Sequence, residues 1–84
     1  MDEMQEAHFT VVVHSEGGQL WAEVEELPGC FATGDNMIEL AESLREALLL
    51  SLPASTIELR EWTPIRKSEG ADREDLRVLV GASA

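Results

Sequence analysis

Basic residues are scarce in this chain: six lysines and arginines face seventeen aspartates and glutamates, a formal net charge of −11 at pH 7. A field of that sign repels phosphate backbones and anionic headgroups, so direct binding to nucleic acid or to a membrane surface is not expected. It attracts basic proteins, speeding encounter and selecting among partners more than it raises affinity. Cysteine is reduced to Cys30 alone, which cannot close an intrachain disulfide. No apolar run approaches the roughly 20 residues of a membrane helix, and no basic, then apolar, leader opens the sequence, so a cytoplasmic protein is expected. Tyrosine is absent and the aromatics are Phe9, Trp21, Phe31 and Trp62, which leaves an aliphatic core. Eighty-four residues supply one such core, because a chain this short buries only about 60 to 65% of its unfolded surface.

What is present is periodic. Residues 8–14, HFTVVVH, set Phe9, Val11 and Val13 against Thr10 and Val12, the spacing of a half-buried strand. Gly17 and Gly18 supply a turn, after which QLWAEVE places Leu20, Ala22 and Val24 on one face and Trp21, Glu23 and Glu25 on the other. An antiparallel hairpin is expected. Pro28 and Gly29 end the second strand, a short third strand follows over 30–33, and Gly34 permits another change of direction. Asn36 with Glu39 fits a capping box, and Asp35 and Glu39 complement the positive end of a helix. Met37, Leu40, Ala41, Leu44, Ala47 and Leu48 then recur at three and four, and Pro53 stops the pattern. Residues 56–62 alternate Ile57 and Leu59 against Glu58 and Arg60 as a fourth strand. Beyond Pro64 the chain is polar as far as Asp72; the short apolar patch Leu76, Val78, Leu79 and Val80 either adds an edge strand or folds only against a partner.

Reactive residues do not assemble into a constellation. Cys30 as a nucleophile needs a base, and His8 and His14 share the strand face opposite Phe9 and Val11. A cysteine directly after Pro-Gly at a strand start reads more simply as a small buried hydrophobe. Two histidines six apart and one distant cysteine do not form a zinc set. Glu23 and Glu25 alternate with an apolar face and so project into water rather than converge. No enzyme activity, metal or cofactor is expected. Trp21 is different: one helix covers one face of a sheet, so a tryptophan on the other face, with Val12 beside it, needs an interface. A homodimer or a larger even-numbered oligomer is therefore expected.

The succession of a glycine-turned hairpin, Leu27-Pro28-Gly29-Cys30, then Thr33-Gly34-Asp35, then a capped helix rich in Glu, Ala and Leu resembles the amino-terminal domain of HicB-family antitoxins, over residues 9–52. The resemblance implies a partial RNase H-like α+β fold in β-β-β-α-β order: an antiparallel three-stranded meander, a fourth strand, and one amphipathic helix packed on one face. It implies a HicB-like domain over 1–64 and a short carboxyl-terminal extension over 65–84. Many members carry a ribbon-helix-helix or helix-turn-helix module there. This tail is too short for either, and Arg66, Lys67, Arg73 and Arg77 are offset by Glu69, Asp72, Glu74 and Asp75.

Functionally, the resemblance implies binding and steric inhibition of a small basic HicA-type endoribonuclease toxin. Carboxylates such as Glu23 and Glu25 stand in for phosphates, and Val12, Trp21 or Trp62 supplies an apolar centre. Between His8 and His14 there is no carboxylate, so the first metal ligand of an RNase H enzyme is missing. The alternative is a self-assembling scaffold or regulatory module with no toxin partner.

Overall fold

Gly17 and Gly18 carry φ of 59° and 84°, conformations that side chains oppose, and the chain reverses within them. β1 (Glu3–Glu16) thereby pairs antiparallel with β2 (Gln19–Val24), Val11 opposite Val24 and His14 opposite Trp21. The computed structural model describes residues 3–68 and 70–82. It continues through β3 (Phe31–Gly34), α1 (Met37–Ser51), β4 (Thr56–Ser68) and β5 (Ala71–Ala82), and the sheet order is β3-β2-β1-β5-β4. Every pairing is antiparallel, so β3 and β4 run in the same direction and α1 crosses the sheet between its two edges.

The helix starts where its orphan amides find acceptors. Asn36 takes the Glu39 N–H at 2.9 Å, and the Glu39 carboxylate takes the Asp35 N–H at 3.2 Å. It ends at Leu52, whose N–H donates to the Leu48 carbonyl, directly before Pro53. Leu40, Leu44 and Leu48, four apart, are completely buried against Phe9, Val11, Val13, Ala22, Val24, Cys30, Ala32, Ile57, Leu76 and Val78. Each such leucine contributes roughly 1.5–3 kcal/mol of transfer free energy.

The four-stranded β-β-β-α-β arrangement expected from the sequence is not the one the chain adopts. The sheet has a fifth strand, β5, inserted between β1 and β4, so the strand after the helix never touches the meander. The apolar patch Leu76, Val78, Leu79 and Val80 thus forms neither an edge strand nor a partner-dependent segment but part of an interior strand. β5 pairs with β1 from Glu3↔Ala82 to His14↔Ala71 and with β4 from Thr56↔Gly81 to Ser68↔Ala71. Leu76 and Val78 lie completely buried between the two. The physical reason is coverage: Leu76 faces Phe9 on one side and Trp62 on the other, so an interior strand buries what an edge position leaves half open. β1 and β4 are longer than expected, reaching Glu3 and Ser68, and β4 continues past Pro64 through a bulge directly after it. These long strands set the 44 Å axis of a molecule 22 by 21 Å across. A 15-residue helix, about 22 Å long, covers half of that length.

Candidate functional site

Strand alternation leaves the face opposite α1 open. On β1 it carries Glu6, His8, Thr10, Val12 and His14, on β2 Trp21 and Glu23, and directly after β2 Glu25. Neighbouring strands add Phe31, Asp75 and Arg77. His14 and Trp21 are cross-strand partners whose rings stack at 3.9 Å with planes 10° apart. The stack closes His14 Nε2 off from solvent without a hydrogen-bond partner; its nearest carboxylate oxygen is Glu23 Oε2 at 3.9 Å. Val12 lies opposite Glu23, and Phe31, 56% exposed, lies opposite Glu23 from the other side. The result is an apolar centre of Val12, Trp21 and Phe31 around one carboxylate. A shallow groove of about 530 Å³ runs beside it, lined by Glu23, Glu25, Pro28 and Phe31 among others.

Four of the five expected contact residues, Val12, Trp21, Glu23 and Glu25, come together on this face. Trp62 does not: it sits opposite Leu76 on the helix side and packs against the core. The bulge between Leu59 and Glu61 is the cause, because it shifts the parity of β4 and turns Trp62 inward and Glu61 outward. Phe31 is the member that sequence reasoning missed. Its signal lay in the parity of the short third strand, where Cys30 and Ala32 are buried and Phe31 and Thr33 are exposed.

Ion pairs organise the rest of the face. Arg73 reaches Glu25 at 2.6 Å, Arg77 reaches Glu6 at 2.9 Å, and His8 Nδ1 meets Asp75 at 2.8 Å. The hydrogen bond to Asp75 comes first among the causes that raise the His8 pKa above its usual 6.5, and attraction from Glu6 adds to it. Among the described residues Glu23 has no arginine or lysine partner. The same residues contain no group of three His, Cys, Asp or Glu side chains placed to hold a metal ion. No helix of theirs is long and apolar enough to cross a membrane.

The segment Leu27-Pro28-Gly29-Cys30 connects β2 to β3. Its turn is closed by Leu27 N–H to Val24 O at 3.1 Å and Cys30 N–H to Leu27 O at 3.0 Å, with Gly29 at φ 90°. Cys30 is buried in the core. Thr33 donates its N–H to Ser43 Oγ at 3.2 Å, tying β3 to α1, and Gly34 and Asp35 lead into the cap.

Glu26, in the same turn, accepts the Thr10 N–H at 2.7 Å. Burial acts to raise its pKa, but the hydrogen bonds from Thr10 outweigh burial and hold the carboxyl below its usual 4.5. A depressed carboxyl pKa stabilises the fold above the unfolded value, and that contribution disappears as pH falls through the folded value. Glu26→Gln is therefore expected to flatten the fall in melting temperature between about pH 5 and 3; parallel melting curves for parent and variant across that window would contradict it.

No family model matches the chain, and neither a curated protein nor a solved structure shows significant similarity to it.

Proposed function

We propose that this protein is a HicB-like antitoxin that binds a small, basic HicA-type endoribonuclease and blocks it sterically. The observation that carries the reading is the open face: an apolar centre of Val12, Trp21 and Phe31 with carboxylates at its rim, on a chain of net charge −11. Aromatic centres desolvated by a polar rim are the usual anchors of protein interfaces, and a surplus of carboxylates complements a surface built to hold RNA. The stretch from Leu27 to Asp35 supports the same family locally. Glu23, which has no arginine or lysine partner among the described residues, is available to a toxin cation, whereas Glu25 exchanges Arg73 for one. Inhibition needs no bond-making by this chain.

The test is to retain partners on the tagged protein from its own cells and assay them for RNA cleavage. A small basic ribonuclease, silent in stoichiometric complex, is the expected result. Trp21→Ala is expected to weaken that complex at least about 30-fold, the effect of losing roughly 2 kcal/mol at a central aromatic. A folded Trp21→Ala protein that silences the nuclease as well as the parent would remove the open face from the mechanism. Recovery of the bait alone favours the self-assembling module, a reading that one uncovered strand edge also supports.

A further inference from the structure

We infer that two copies of this chain associate through the amino-terminal half of β1, pairing antiparallel about a twofold axis at Ala7, with Glu6 of each copy opposite the partner's His8. The inference is independent of the toxin, because it uses the sheet's edge and leaves Trp21 free.

Hydrogen-bond direction along β1 shows where the edge is open. Ser15 donates to Gly70 O on the β5 side, and Thr10 O accepts from Glu25 on the β2 side. Odd-numbered backbone groups of β1 therefore point to β5 and even-numbered ones to β2. But β2 pairs with β1 only from Val11 onward, and Glu26 plugs the Thr10 N–H. The backbone N–H and C=O groups of Glu6 and His8 consequently face outward, and among the described residues none of them has a hydrogen-bond partner.

The other edges of the sheet are protected. β3 is only four residues long, and Ser43 covers its outward Thr33 amide at 3.2 Å. β4 carries two bulges and Pro64, devices that spoil strand addition. The edge of β1 from Met4 to Phe9 has no proline and no bulge, so it is the one built to accept a strand.

Charge chooses the occupant and the register. Only even residues present backbone groups, so registers about a twofold axis differ by which even residues meet. An axis at Glu6 sets Glu6 against Glu6, and one at His8 sets His8 against His8; both put like groups face to face. An axis at Ala7 sets Glu6 opposite the partner's His8 twice. It brings a carboxylate beside the His8–Arg77 pair of neighbouring strands. Pairing ends where each Thr10 is already occupied. So short a ladder fits a weak dimer, with a dissociation constant of about 100 µM, rather than a permanent one.

Sedimentation equilibrium of the parent and three variants tests this, with circular dichroism to confirm folding. The parent is expected to form dimers at about 100 µM and to dissociate on dilution. Glu6→Pro removes an outward N–H that the monomer leaves unpaired, so a folded monomer is expected. Glu6→Lys places like charges together and is expected to weaken the dimer about tenfold or more, while Glu6→Lys with His8→Glu restores it. A parent that stays monomeric overturns the inference. So does a dimer that survives Glu6→Pro and Glu6→Lys but is lost in Trp21→Ala, which would place the interface on the open face. Failure of the double variant to recover overturns the register.

Discussion

A chain truncated after Pro64 is expected not to fold. Residues 65–84 have the composition of an extension, yet removing them deletes β5, the partner of both β1 and β4. Leu76 and Val78 are completely buried, and at roughly 1.5–3 kcal/mol each their loss consumes much of what a domain has in reserve. For 84 residues that reserve is about 4–13 kcal/mol. Cavity terms and unpaired backbone groups on β1 and β4 add to the cost. The expected spectrum of residues 1–64 is that of an unfolded chain, with no cooperative thermal transition. A dispersed amide spectrum would instead show that β1 and β4 can close on each other as a four-stranded sheet.

The same strand shows why part of the fold was not legible in the sequence. β2 announces itself, since QLWAEV alternates cleanly between a core face and a wet face. α1 does likewise, with leucines at 40, 44 and 48 between an asparagine cap and Pro53. β5 reads as ADREDLRVLVGA, and its alternation is masked because Asp72 and Glu74 occupy helix-side positions, opposite Val13 and Val11. Burial holds the Glu74 carboxyl above its usual range, and repulsion from Asp72 adds to the shift. Its outward charges make sense only in three dimensions, where Asp75 and Arg77 meet His8 and Glu6 from sixty-seven and seventy-one residues away. The amino-terminal half of β1 is obscured for the same reason. Of the contact residues, Trp21 was legible because strand parity is local. Trp62 was not, because a bulge reverses parity without leaving a mark on composition.

Gly34→Val is expected to destabilise the protein far more than Gly29→Ala, although both glycines belong to the same connection. Positive φ explains only Gly29, at 90°, where an added Cβ meets nothing within 4 Å. Its replacement costs backbone strain alone, about 1–2 kcal/mol. At Gly34 φ is not in the positive region; the constraint is contact. A Cβ there would lie 2.5 Å from the Leu40 nitrogen and 2.9 Å from the Glu39 carbonyl carbon, backbone atoms of the first helical turn. A rotamer change cannot relieve that overlap, so α1 must retreat. Retreat withdraws Leu40 from the core and loosens the Asn36 cap, together about 3–5 kcal/mol. At roughly 4–8 °C per kcal/mol for a domain of this size, Gly34→Val lowers the melting temperature by more than about 12 °C, about two to three times the shift for Gly29→Ala. Equal shifts would mean that helix and strand do not meet as closely as these distances require. Gly34 packs on the first helical turn, away from Trp21, so under the proposed function whatever fraction of Gly34→Val remains folded should bind as the parent does, which separates loss of fold from loss of binding.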